Sequence, residues 1–263
     1  MKFNKLALLC AVACAGLSGQ AMAQVSSNAT ALAIVNEANG VVSPANPTGE
    51  QRILFVSGAS AVQGGLGQIA TTLFTGTNYL FHPSNASGRT NSDYRAYAGR
   101  LAAAAGTWPA GTAVIIVNRA RGGSVIGVNP VARGESIENL AVNAASCTAG
   151  AGTGASPFLC NTLTSTVPDA GVSDVAPALF VSPINTEGEP AEPSLNSAEL
   201  ASLTVSPLYG LAFGLPLSNN LPLFSMNKAQ VSGIMAGTVG TWGDVSAGAA
   251  TALPNGSADD ILL

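Results

Sequence analysis

The chain has 263 residues, with 10 Lys and Arg against 14 Asp and Glu and a formal net charge of −4. Charged residues make up only 9% of it, which excludes the clustered basic surface that a nucleic-acid backbone requires. A single His and four Cys, with no Cys-x-x-Cys pair, supply no ligand set for a structural metal, so neither a metal nor another cofactor is expected.

The chain opens on a short basic stretch, Met1–Lys5, followed by an apolar run from Leu6 to Leu17 and the small-x-small triplet Ala21-Met22-Ala23. This order predicts a signal peptide over residues 1–23, a mature chain beginning at Gln24, and a periplasmic or secreted product. The apolar run falls short of the roughly 20 residues that span a bilayer. Cys14 is poorly placed for lipid attachment because the residue three before it is Ala11. The remainder has no other long apolar stretch and is expected not to be membrane-embedded, with length for one large or two small domains.

Arg52–Val56 reads as a buried strand, and Val62, Leu66, Ile69 and Leu73 then recur at helical spacing after the turn Ser57-Gly58-Ala59-Ser60. Ala113–Asn118 is a second strand, closed by Gly122-Gly123 and followed by a helix. Ser136 with Glu138, Asn139 and Leu140 predicts another short helix. From 144 to 166 the composition turns to Ala, Gly, Ser and Thr, predicting an inserted surface loop. That loop holds Cys147 and Cys160, the two cysteines left after export, and an oxidising compartment makes a disulfide between them the default. It should contribute about 2 to 3 kcal/mol, mainly by restraining the unfolded loop.

Glu187, Glu189 and Glu192, set among prolines, predict an exposed acidic loop. Val205 to Leu217, apolar and rich in Gly and Pro, is expected to carry the chain to a second lobe. Helical spacing resumes over Asn227–Gly237 through Val231, Ile234 and Met235, and Trp242 follows a glycine-rich turn. The alternation of strand and helix signals gives an α/β class.

Three loops carry candidate chemistry. Gly58-Ala59-Ser60-Ala61, between a strand and a helix, places N–H groups where the helix dipole favours an anion, and Ser60 adds a hydroxyl. Gly58 permits a tight turn and close approach of a ligand. Arg121-Gly122-Gly123-Ser124 permits a second set of N–H donors, with Arg121, or Arg119 in competition with it, for a charge-assisted contact. Asp174, after Gly171-Val172-Ser173, brings an acid beside the anion. An ionised carboxylate only accepts, so it can hold the hydroxyl of hydrogen phosphate and repel fully ionised sulfate.

The order Gly-Ala-Ser, Gly-Gly and Val172-Ser173-Asp174-Val175-Ala176-Pro177 resembles the periplasmic phosphate-binding proteins of ABC transporters, of the type II periplasmic-binding fold. The stretch Leu223–Gly237 with Thr241-Trp242-Gly243-Asp244 is similar to a helix and turn of that family's second lobe, and the resemblance runs from about Arg52 to the end. It implies two lobes, a first over 24–204 and a second over 205–263 that is incomplete. It further implies phosphate or a similar oxyanion as ligand and an ABC permease complex as partner. Ser60 and the N–H of Ala61 would bind the ligand, Asp174 would accept its proton, and Gly122 and Gly123 would form the middle turn. Where the family has Ser-Ser-Gly-Gly or similar, this chain has Ala120-Arg121-Gly122-Gly123 or, shifted by one residue, Arg121-Gly122-Gly123-Ser124, so Arg121 is the candidate to replace the serine. An Arg and a Ser-Gly-Thr helix start would follow a strand matching Asp260–Leu263, which predicts the front part of a longer protein and weak or no phosphate binding by these 263 residues alone.

An enzyme reading is disfavoured. A strand running through Gly58-x-Ser60 into a helix approximates the nucleophile elbow of α/β-hydrolases, but His82, the sole His, precedes Asp174 instead of following it. A secreted or surface binding protein that reuses the fold without transport is the alternative function.

Overall fold

A computed structural model of the chain describes residues 25, 28–181, 186, 192–208, 210 and 225–245. The predicted signal peptide, the acids Glu187 and Glu189, and much of the predicted crossing lie outside the described residues. The chain forms two compact units, residues 1–208 and 209–263.

The first unit is a mixed α/β structure. Helix α1 (Ala29–Ala38) is capped by Asn28, whose side chain accepts from the Ala31 N–H. Strand β1 (Ile53–Gly58) is followed by helix α2 (Gln63–Thr72), β2 (Phe74–Pro83), β3 (Tyr94–Leu101), β4 (Ala113–Arg119) and helix α3 (Gly123–Arg133). Four short strands then follow: β5 (Ile137–Leu140), β6 (Cys147–Ala149), β7 (Phe158–Cys160) and β8 (Leu163–Thr166). Strand β9 (Ala170–Val172) and helix α4 (Ser197–Ser202) complete the unit. Among the described residues seven strands make one sheet in the order β6-β7-β2-β3-β4-β1-β9, and β5 pairs with β8 apart from it.

Alternation along β1 and β4 divides the core. Ile53, Phe55, Ile115 and Val117 pack with Ile34 and Val35 of α1 on one face. Leu54, Val56, Val114 and Ile116 pack with Ala70 of α2 on the other. Helix α3 lies on the α1 face, where the Ser57 hydroxyl donates to the Gly127 carbonyl at 2.9 Å. Contact there is main chain on main chain: a Cβ on Gly127 would sit 2.5 Å from the Gly58 Cα. A Cβ on Gly171 would strike the Gly127 carbonyl, and one on Gly58 the Val172 carbonyl. The missing side chain of Gly58 leaves space for β9.

Two expectations are corrected. Residues 137–140 form strand β5 instead of a helix, because Ile137–Leu140 pair antiparallel with Leu163–Thr166 and local helix preference yields to that pairing. The stretch 144–166, predicted as a surface loop, carries strands: β7 joins the main sheet beside β2, β6 joins β7, and Cys147, Phe158 and Cys160 are fully buried. The predicted disulfide is present, linking the cross-strand partners Cys147 and Cys160. Glu192, expected in an exposed acidic loop, is held by Arg133 at 2.8 Å.

In the second unit, α5 (Lys228–Met235) forms where helical spacing predicts it. Asn227 and Gln230 build its capping box, each side chain accepting from the other's backbone N–H. The short helix α6 (Trp242–Val245) begins at the predicted turn, where the Thr241 hydroxyl donates to Asp244 at 2.7 Å.

Candidate functional site

Strands β4, β1 and β9 are parallel neighbours, with Val56 beside Asn118 and Ala170, and Ser57 beside Arg119 and Gly171. Their C-terminal ends therefore finish at one rim. All three candidate loops leave from it. The chain after β1 enters a helix on one face and the chain after β4 a helix on the other, and such divergence opens the crevice where open α/β sheets take ligands.

The first and third loops touch at the rim. The Ala59 N–H donates to the Val172 carbonyl at 3.0 Å, so the turn that Ser60 starts begins where the third loop leaves β9. Ser60 and Ala61 are both exposed and belong to a 3-10 turn, Ser60–Val62, that runs into α2. Ala59 holds the cap position, and among the described residues no side chain caps the turn. Among the described residues the Ser60 hydroxyl has no side-chain hydrogen bond.

In the second loop Gly122 and Gly123 both adopt positive φ, 92° and 75°, which only glycine tolerates well. A side chain at Gly122 would also meet Ile126 at 2.6 Å. Among the described residues no side chain caps α3, which leaves the N–H groups of its first turn without an intrahelical acceptor. Eleven residues of aligned peptide dipoles end there, and the field at that end favours negative charge.

Asp174, in the third loop, is exposed, and Ser124 of α3 donates its hydroxyl hydrogen to Asp174 Oδ1. This bond ties the second loop to the third. Ser173 does not face the rim in the same way, because its hydroxyl donates to the Val175 carbonyl at 2.6 Å and accepts from the Val175 N–H at 3.0 Å.

Ser60, Ala61, Gly122, Gly123 and Asp174 thus share one rim. Arg121 stands apart in its electrostatics. The Arg89 guanidinium, hydrogen-bonded to Glu138, together with Tyr94 and the charge of Arg121, holds the Glu138 carboxyl below its usual range against the opposing effect of burial. Burial works to raise the Asp93 carboxyl, but the Thr90 N–H and hydroxyl, with the charges of Arg121 and Arg89, bring it below its usual range. Arg121 therefore stands in the field of two carboxylates rather than serving the rim alone. The serine of the second loop that meets Asp174 is Ser124. Its signal in the sequence is its place directly after Gly122-Gly123, at the start of the helix. His82 lies on β2, three strand spacings or about 14 Å from β1, and so does not pair with Ser60.

Comparison with protein-family models, with curated proteins and with solved structures returned no match.

Proposed function

We propose that the chain is an exported solute-binding protein of the type II periplasmic-binding fold that captures phosphate, or a similar tetrahedral oxyanion, for an ABC transporter. The observation that carries this reading is the Ser124–Asp174 hydrogen bond at a rim of uncapped helix N-termini. N–H groups of the α3 first turn, with the Ser60 hydroxyl, take the charged oxygens of the ligand. Asp174 would repel an anion that has no proton to give. With Oδ1 accepting from Ser124, Oδ2 remains to accept a P–OH hydrogen, and sulfate, which carries none near neutrality, is rejected.

The test is an amide chemical-shift titration, which registers weak as well as tight binding. Millimolar phosphate is expected to shift the Ser60, Ala61, Gly123 and Ser124 amides, with sulfate causing at least about tenfold less effect at equal concentration, the discrimination a charged hydrogen bond supplies. Asp174→Asn replaces one acceptor oxygen by a donor and should erase the difference between the two anions. No shift with phosphate, or equal preference in both proteins, would remove these residues from an oxyanion site.

A further inference from the structure

The Gly122-Gly123 turn is held by a buried guanidinium. Arg119, the last residue of β4, is 6% exposed, and its Nη1 donates to the Arg121 carbonyl at 2.5 Å. Its Nε is buried without a hydrogen-bond partner among the described residues. A guanidinium taken out of water in this way is costly, so the bond it does make matters.

That guanidinium is itself framed. Tyr94 is the cross-strand partner of Arg119, and its hydroxyl donates to Glu138 Oε1 at 2.8 Å. Glu138 in turn accepts from Arg89 through both oxygens, at 2.7 and 3.1 Å. The frame therefore draws on β3, β5 and the segment between β2 and β3, and it ends on one peptide group of the second loop.

We propose that Arg119 is a positioning residue for the oxyanion turn, holding the Arg121 carbonyl and thereby aiming the N–H groups that follow. In a trans peptide the carbonyl and the next N–H are coplanar and point in opposite directions. Fixing the Arg121 carbonyl towards Arg119 consequently turns the Gly122 N–H away from it. Two successive glycines have the widest conformational freedom of any pair, and a turn made from them needs an external hold to keep one geometry. The ligand side of this inference rests on the phosphate reading above, whereas the hold on the turn does not.

The experiment compares Arg119→Met, which keeps the stem and removes the donors, with Arg119→Lys, which keeps one charged donor nitrogen. Backbone 15N relaxation in the full chain reads the turn directly. Wild type and Arg119→Lys should give order parameters of about 0.85 at Gly122 and Gly123, and Arg119→Met values below about 0.6, while β4 amides stay near 0.85 in all three. The phosphate concentration that half-shifts the Ser124 amide should rise about fivefold in Arg119→Met and less than about twofold in Arg119→Lys. Should Arg119→Met fail to fold, Tyr94→Phe takes its place, and a fall at Gly122 and Gly123 confined to the turn is again expected. Rigid glycines in the variant, or loss of order spread equally through β4, would overturn the proposal. A wild-type chain indifferent to phosphate would sink the functional reading, and the relaxation comparison would still decide the role of Arg119.

Discussion

His82 is half-buried on β2, with Nε2 enclosed and without a partner among the described residues. Burial, and then the positive charge of Arg95, hold its pKa below the ordinary imidazole value. A group with its folded pKa lowered binds fewer protons folded than unfolded, so stability is lost as pH falls from about 6.5 towards the folded value and levels off below it. His82→Gln should flatten this slope, which urea unfolding at about pH 7 and about pH 5 would measure. Glu138 and Asp93, whose carboxyls lie below the usual range, lose their contributions only at lower pH. A slope that survives the substitution would assign the effect to a group other than His82.

Strands β6 and β7 show why composition misleads at the level of elements. Residues 144–166 carry the small and polar residues of a loop, yet Phe158, Cys147 and Cys160 supply a buried edge to the main sheet. The disulfide closes a separation of 13 residues, and replacing both cysteines by Ala should cost about 3 kcal/mol in urea unfolding. A loss below about 1 kcal/mol would show that β6 and β7 hold without it. Elements with strong local signals were legible: β1 and β4 in their apolar runs, α3 behind two glycines, α5 in the helical spacing of Val231, Ile234 and Met235. Strand β5 was not, because four residues hold too little pattern and its partner β8 lies beyond the disulfide hairpin. The site divided in the same way. Gly122, Gly123 and Asp174 stood out by residue type, whereas Ser124 meets Asp174 across 50 positions and Arg119 shows its burial only once β3 and β5 are in place. Arg121 carried the expected charge in the expected loop, but the carboxylates that surround it come from other segments.

The apolar clusters of the first unit, and its disulfide, lie within residues 25–203. A fragment of residues 24–208 should therefore fold with cooperative thermal unfolding and native-like circular dichroism, and a non-cooperative melt would show that residues 209–263 are needed for that core. Within the unit, α3 approaches β1 and β9 so closely that Gly127 and Gly171 each face backbone atoms across the gap. A side chain that collides with another side chain can be forgiven by a second substitution that trims its neighbour. Here the neighbour is the chain itself, which no exchange of amino acids can shorten. Sequence drift at these two positions is thus confined in advance: any added methyl must be answered by lifting the whole helix, and the helix carries Ser124 away from Asp174 as it goes.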